Sequence, residues 1–250
     1  MNGMEKLGFE SLDDKVIFLT GASNGIGRAT ALLFGEYGAQ LVLTARSEDK
    51  LNDVADRIED NGKADRPLVI PTDVTVEEEC VAAVERTIEE FGRIDVLINN
   101  AGIGIPSRDL SEVDSEVIKQ QIETNLYGVF YLTREALKPM KDAQKGHIVM
   151  VSSMAGVNSN PVAPLYCSSK FGLEGYTGGL KDQAEQWRED GIDIRVSNVK
   201  PGPVDSGYWG DRDVPRDKFM TCEEMAATLY WVVAAADTMN VGEIRMESMR

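Results

Sequence analysis

The amino-acid sequence predicts an α/β protein, a doubly wound parallel sheet of about seven strands with helices on both faces. Two observations carry this. Short apolar runs bounded by turn residues alternate with amphipathic stretches from one end of the chain to the other, the pattern that right-handed strand–helix–strand crossovers impose. No linker, repeat or low-complexity segment interrupts that alternation, and 250 residues suffice to bury one large core. The expected organisation is therefore a single domain over residues 1–250, with a flexible tail over 1–13 and a lid over 203–218.

The elements follow in order. Lys15–Thr20 is the first strand; Ile26, Ala29, Leu33, Phe34 and Tyr37 then recur at helical spacing and stop at Gly38. Leu41–Thr44 is the second strand. Ser47 is placed to cap a helix whose inner face is Leu51, Val54, Ala55 and Ile58. Leu68–Ile70 is the third strand. Thr75 with Glu78 has the form of a capping box that opens a helix reaching Phe91. Ile94–Ile98 is the fourth strand, followed by a long helical region from Glu112 to Met140 and the strand His147–Val151. A helix from Ser168 to Glu189, the strand Ile192–Val196, a helix from Glu223 to Ala236 and a last strand Glu243–Met246 complete the alternation. The stretch Gly202–Asp217 is rich in proline, glycine and charge, and its position suggests the lid.

Composition excludes several classes. The net charge of −16 argues against a general nucleic-acid-binding role, which needs a basic footprint. It fits a self-repelling surface or, alternatively, adaptation to high salt. No apolar run approaches the roughly 20 residues needed to span a bilayer, and the first residues lack the order of a signal peptide, so a cytoplasmic location without membrane contact is expected. Cys80, Cys167 and Cys222 are few and widely spaced, and His147 is the sole histidine, a pattern that fits neither a disulfide scaffold nor a metal centre.

Thr20-Gly21-Ala22-Ser23-Asn24-Gly25-Ile26-Gly27 joins the first strand to the first helix. Glycines here allow a tight turn and let backbone amides approach a pyrophosphate at a helix N-terminus, so a dinucleotide site is expected. Where an acid would grip a ribose 2′-hydroxyl, the second strand ends instead in Ala45 and Arg46. Arginine offers a fork of donors suited to a 2′-phosphate, which favours NADP(H) over NAD(H).

Tyr166 and Lys170 are four residues apart, about one helical turn, and project from one face. A phenol is a poor acid or base at neutral pH, and lowering its pKa by about three units takes roughly 4 kcal/mol. One cation at about 4 Å in a partly screened site supplies something of that order. The pair therefore reads as an activated tyrosine acid/base, with Ser153 thirteen residues upstream of Tyr166 and Ser152 as its rival.

Taken together, the ordered set resembles the short-chain dehydrogenase/reductase family over nearly the whole chain: the Thr20–Gly27 turn, Asp73, Asn99-Asn100-Ala101-Gly102, Asn125, Ser153, Tyr166 with Lys170, and Pro201-Gly202. The resemblance implies a Rossmann-type fold and an NAD(P)-dependent enzyme acting on CH–OH groups. It implies catalytic roles for Asn125, Ser153, Tyr166 and Lys170, with Ser153 and Tyr166 on the substrate oxygen and Asn125 holding a water that links Lys170 to solvent. Cofactor contacts are implied for Gly21, Ser23, Asn24, Gly25, Ile26, Gly27, Arg46, Asp73, Val74, Asn99, Ala101, Gly102, Tyr166, Lys170, Pro201, Gly202, Val204 and Ser206. It also implies a homodimer or homotetramer formed through the helices carrying Asn125 and Tyr166. Asn24 departs from the basic residue that NADP(H)-using members often carry. The ending Asn240–Met246 looks more like the branch that handles small 3-hydroxy acids and related alcohols.

The leading expectation is an NADP(H)-dependent oxidoreductase interconverting a small alcohol and its carbonyl. The alternatives are a non-catalytic NAD(P)-sensing regulator, an NAD-dependent dehydrogenase of the same family, and a sugar-nucleotide epimerase or dehydratase, for which the C-terminal region is short.

Overall fold

A computed structural model describes residues 11–13, 15–105 and 109–249. Seven parallel strands form one sheet in the order β3-β2-β1-β4-β5-β6-β7. They are β1 (Val16–Thr20), β2 (Gln40–Ala45), β3 (Leu68–Pro71), β4 (Val96–Asn99), β5 (Lys145–Val151), β6 (Asp193–Pro201) and β7 (Glu243–Met246). The helices are α1 (Gly25–Glu36), α2 (Glu48–Asn61), α3 (Glu77–Phe91), α4 (Ser115–Ile122), α5 (Gly128–Asp142), α6 (Pro164–Glu189) and α7 (Cys222–Ala234).

The period-2 alternation of strand side chains divides the core in two. Ile17, Leu19, Leu41, Leu43, Val149 and Val199 pack under Phe34 of α1, Leu51, Val54 and Ile58 of α2, and Leu229 and Val233 of α7. Val16, Phe18, Val42, Leu97, Ile148 and Met150 pack on the other face under Ala83 of α3, Leu132 and Met140 of α5, and Leu173 and Leu180 of α6. Strands buried on both faces explain why the runs read as continuously apolar. The order reverses between β1 and β4, so the carboxyl ends of those two strands open a crevice at the switch point.

Four sequence expectations change in detail. Thr75 and Glu78 form no capping box: α3 begins at Glu77 after Val76, which has no side-chain cap, and the Asp73 carboxylate instead accepts from the Thr75 amide and hydroxyl at 3.0 and 2.8 Å. The reciprocal box is at α7, between Thr221 and Glu224. Ser47 precedes α2 but makes no capping hydrogen bond through its side chain. The expected helix from 112 to 140 is divided into α4 and α5 by a π turn at Glu123–Tyr127, an insertion that such helices often carry at functional sites. Finally, of the flexible tail expected over 1–13 only residues 11–13 are described. Residues 1–10 lie outside the described residues, whereas Leu12 is buried in the core and its carbonyl accepts from the Lys15 amide at 3.0 Å.

No helix among the described residues is long and apolar enough to cross a membrane.

Candidate active site

Because every strand runs the same way, the segments that follow them emerge at one rim of the sheet. The glycine turn follows β1, Arg46 follows β2, Asp73 and Val74 follow β3, Ala101 and Gly102 follow β4, Ser153 follows β5, and Gly202–Ser206 follow β6. The first turns of α6 bring Tyr166 and Lys170 to the same rim, and the π turn brings Asn125.

The glycine turn is held from beneath. Gly21 and Gly25 have φ of 66° and 54°, in the region glycine favours. A Cβ at Gly27 would overlap the Gly21 carbonyl oxygen and stand 2.6 Å from Asn100 Nδ2. Asn100 donates through Nδ2 to the Thr20 carbonyl at 2.8 Å. Thr20 Oγ1 in turn accepts from the Asn100 and Ala101 amides at 2.9 and 2.8 Å. Sequence reasoning gave Thr20 and Asn100 no role of their own, although both stood inside quoted motifs. The Asn99 side chain turns the other way, into the core, donating to Thr133 Oγ1 at 3.0 Å and so bracing β4 on α5. Asn24 caps α1, its side chain accepting from the Gly25 amide at 2.8 Å. Ser23 and Ile26 are half-buried in the turn between these supports.

Arg46 is exposed just beyond β2 and pairs with no carboxylate among the described residues. The Thr72 amide donates to the Ala45 carbonyl at 2.9 Å, which sets Asp73 and Val74 beside Arg46 at the rim. Val74 is buried against Gly128, at the end of the π turn.

Ser153 and Tyr166 are joined by a hydrogen bond between their side chains. The two serines differ in burial and in partners. Ser152 is buried and donates to Glu174 Oε1 at 2.6 Å, whereas Ser153 opens a short turn, Met154–Gly156, with its hydroxyl toward Tyr166. Lys170 is buried beside the tyrosine, Nζ lying 5.8 Å from the Tyr166 ring centre and donating to the Val151 carbonyl at 3.2 Å. Asn125 is 1 % exposed, so its amide is committed to protein partners. It accepts from the Ile103 amide and donates to the Ile103 carbonyl, both at 2.9 Å, and donates to Ser169 Oγ at 2.9 Å. A Cβ on Gly102 would lie 3.4 Å from Asn125 Oδ1 and 3.7 Å from Lys170 Nζ, so these three groups line one corner.

The electrostatics correct one expectation. The Tyr166 phenol is not lowered below its ordinary value in this arrangement. Burial pushes it above its ordinary value, Tyr208 adds to that, and the Ser153 hydrogen bond opposes it. Burial likewise pushes Lys170 down to about 8, with the Glu174 carboxylate acting in the opposite sense. At neutral pH the tyrosine therefore keeps its proton, which suits a group that donates one.

The segment after β6 folds back over this rim. Pro201 is buried, and the Gly202 amide donates to the Met246 carbonyl of β7 at 2.7 Å. Val204 pairs with Met220, closing the base of the loop. Ser206 and Gly207 lie against Gly25 and Asn24 of the glycine turn. Tyr208 then reaches the tyrosine: its ring centre is 5.5 Å from that of Tyr166, and the two phenols hydrogen-bond. Its ring rests directly on Gly104, where any Cβ would collide with it. Arg212 stacks over Tyr208 at 4.8 Å from the ring centre and donates to its carbonyl. No local pattern in the sequence marks Tyr208, because its seat is supplied by a glycine in a distant loop.

His147 and Cys167 stand apart from this chemistry. His147 is buried in β5, 2.8 Å from Ser197 Oγ, and burial pushes it down to about 3. Cys167 is buried on α6, its thiol facing the Asn158 carbonyl at 3.8 Å.

Comparison with known proteins follows the same outline. A model of the short chain dehydrogenase family matches residues 15–215. An uncharacterized oxidoreductase of Staphylococcus saprophyticus is 34% identical over 236 residues, covering 93% of this chain and 97% of the relative. An alcohol dehydrogenase from the archaeon Thermococcus sibiricus, solved with 5-hydroxy-NADP, superposes with a TM-score of 0.81 at 27% identity, over 94% of this chain and 97% of that one. A metagenomic short-chain oxidoreductase in complex with NADP gives a TM-score of 0.81 at 29% identity, over 96% of this chain and 100% of that one.

Proposed function

The chain belongs to the short-chain dehydrogenase family and is an oxidoreductase of alcohol and carbonyl groups; on that premise we propose that it uses NADP(H), with Tyr166 as the proton-transferring group. The observation that carries the reading is the junction of Ser153, Tyr166 and Lys170 at the rim where the sheet reverses its order.

The residues fit a dinucleotide. The glycine turn excludes side chains at Gly21 and Gly27, which leaves backbone amides to approach a pyrophosphate at the start of α1. Arg46, which pairs with no carboxylate among the described residues, would offer its guanidinium to a 2′-phosphate, Asp73 and Val74 would meet the adenine, and Ala101 with Gly102 the ribose. Lys170 would hold the nicotinamide ribose, and Pro201, Gly202, Val204 and Ser206 would hold the nicotinamide. Bound there, the nicotinamide supplies or accepts a hydride. The protein's part is to orient the substrate oxygen and move its proton. Ser153 donates a hydrogen bond to the carbonyl oxygen, polarising it. Tyr166 delivers its proton to that oxygen as the carbon is reduced, and takes it back in the oxidation. Lys170 stabilises the phenolate left behind, and Asn125 shapes the corner through which a water returns the proton. A small 3-hydroxy acid or related compound fits the chain's C-terminal pattern as substrate.

Arg46→Ala is expected to weaken NADPH binding about 10- to 100-fold, the worth of a charge-assisted fork to phosphate, and to leave NADH binding unchanged. Titration of the cofactors against wild type and variant by fluorescence checks this. Equal NADPH affinity in the two proteins would remove the basis for the preference.

The loop over residues 203–218 acts as a lid, with Tyr208 in the place a substrate ring would take against Gly104. Tyr208→Ala is expected to raise kcat/KM for aryl ketones relative to small aliphatic ones about tenfold. NADPH affinity should not change. An unaltered ratio would show that Tyr208 does not bound the chamber. The exposed Ile118, Tyr127 and Phe171 on the α4–α5 and α6 faces support assembly into a homo-oligomer through those helices.

A further inference from the structure

Glu174 continues the series that Tyr166 and Lys170 begin. At steps of four residues along α6, the three side chains occupy one face. Glu174 is shielded, its side chain 18% exposed, and gathers partners from two other elements. Oε1 accepts from Ser152 Oγ at the end of β5 at 2.6 Å and from Asn198 Nδ2 of β6 at 3.1 Å. Oε2 accepts from Asn198 at 3.0 Å and pairs with Lys200 Nζ at 2.6 Å. Lys200, 5% exposed, also binds Glu243 of β7 at 2.8 Å. The turn after Ser153 is packed onto the same stretch of helix. A Cβ at Gly156 would lie 2.9 Å from both Glu174 Cγ and the Lys170 carbonyl oxygen.

We propose that Glu174 is a positioning residue for the proton-transferring pair: its carboxylate fastens the strand end that carries Ser153 to the helix that carries Tyr166, and it sets an anion one turn beyond Lys170. Ser152 is the fastening point. Its hydroxyl is bound to Glu174, its amide donates to the Val199 carbonyl at 2.8 Å, and the next residue is Ser153. Two lysines draw on the one carboxylate. Lys200 has a second acid in Glu243, whereas Glu174 is the charge that bears on buried Lys170.

Among the described residues, Glu174 is the charged group that bears on Lys170. From its own helix it faces Tyr166 and Glu174, with Lys181 further along, itself under the influence of Glu243, Lys200 and Glu174. From β5 it meets the Val151 carbonyl, and from the π turn and the loop after β4 it meets Asn125 and Gly102. From β6 and β7, Lys200 and Glu243 reach it through Glu174, and from the lid Tyr208 reaches it through Tyr166.

The inference rests on Tyr166 and Lys170 forming the proton-transferring pair, and its test is chosen to stand without turnover. The Nζ resonance of Lys170 in lysine-labelled protein, assigned with Lys170→Arg, is titrated by NMR in wild type, Glu174→Gln and Lys200→Met. Glu174→Gln preserves the shape and should lower the Lys170 midpoint by about one pH unit, since the anion one turn further along the helix is lost. Lys200→Met should raise it, because a competing cation is removed. Where carbonyl turnover is measured, the pH limb of kcat/KM should move with the same signs, whichever member of the coupled pair releases the proton. A merely structural Glu174 would lower thermal stability and leave the Lys170 midpoint in place. An unmoved midpoint in folded Glu174→Gln, or a midpoint in Lys200→Met that is unmoved or lower, would overturn the proposal. Absence of turnover together with the predicted shifts would instead fault the proton-transfer reading of Tyr166.

Discussion

Tyr166→Phe is expected to reduce kcat by about 10²- to 10⁴-fold while NADPH affinity stays near that of wild type. The substitution removes one hydroxyl and keeps the ring, so the packing of Tyr166 against Tyr208 and beneath Lys170 survives. What is lost is the proton donor, together with its hydrogen bond to Ser153. Ser153 alone can orient a carbonyl oxygen but cannot supply the proton that the oxygen must gain, because a serine hydroxyl is far too weak an acid. Lys170 donates to the Val151 carbonyl, and its Nζ lies 5.8 Å from the Tyr166 ring centre. No other described residue at this junction is placed to substitute except Tyr208, whose phenol hydrogen-bonds Tyr166. The double variant Tyr166→Phe/Tyr208→Phe therefore separates residual activity of Tyr208 from background. Stopped-flow turnover and fluorescence titration of NADPH together read the two quantities. Wild-type kcat in a cofactor-binding Tyr166→Phe protein would mean that another group moves the proton.

The second large effect is expected at the glycine turn. Gly27→Ala places a methyl group against the Gly21 carbonyl oxygen and 2.6 Å from Asn100 Nδ2, and neither neighbour is the free end of a flexible chain. Gly21 is held in its left-handed conformation, and Asn100 is bonded to the Thr20 carbonyl at 2.8 Å. The turn must therefore open to accommodate the methyl group. We expect a stability loss of about 1–3 kcal/mol, the usual cost of overpacking. NADPH binding should fall by at least about 100-fold, since the backbone amides no longer converge on one point. Thermal melts with and without NADPH measure both: the wild type should gain stability from the cofactor and the variant should not. A cofactor-dependent rise in the melting point of Gly27→Ala equal to that of wild type would show that the turn does not hold the pyrophosphate.

What the sequence made legible is what depends on local spacing. Strand and helix periodicities gave all seven strands, and the inner face of α2 was read residue by residue as Leu51, Val54, Ala55 and Ile58, each buried. The glycine turn and the Tyr166–Lys170 pair are likewise short-range patterns, and the parallel topology brings them to one rim. Where residues act across the fold, spacing was silent. Thr75 with Glu78 has the letters of a capping box, yet Asp73 takes the Thr75 amide first, a competition invisible in a four-residue pattern. The π turn at Glu123–Tyr127 leaves the apolar periodicity nearly intact and so passed as continuous helix. Tyr208 sits on Gly104 and Glu174 on Ser152, Asn198 and Lys200, contacts that exist only once the sheet has assembled. The Tyr166 phenol shows the same limit in energetic form. A cation one turn away argued for a lowered pKa, but burial outweighs it and keeps the proton in place.

The central claim is that this chain reduces a carbonyl with NADPH through Tyr166. It is tested most directly by incubating the protein with NADPH deuterated at the reactive carbon of the nicotinamide and a panel of small ketones, aldehydes and 3-oxo acids, with deuterated NADH in parallel. The products are then read by mass spectrometry. The account predicts an alcohol carrying one deuterium on the former carbonyl carbon, formed faster with NADPH than with NADH and lost in Tyr166→Phe. Binding of NADPH with no deuterium delivered to any carbonyl in the panel, or equal delivery by the Tyr166→Phe protein, would contradict it.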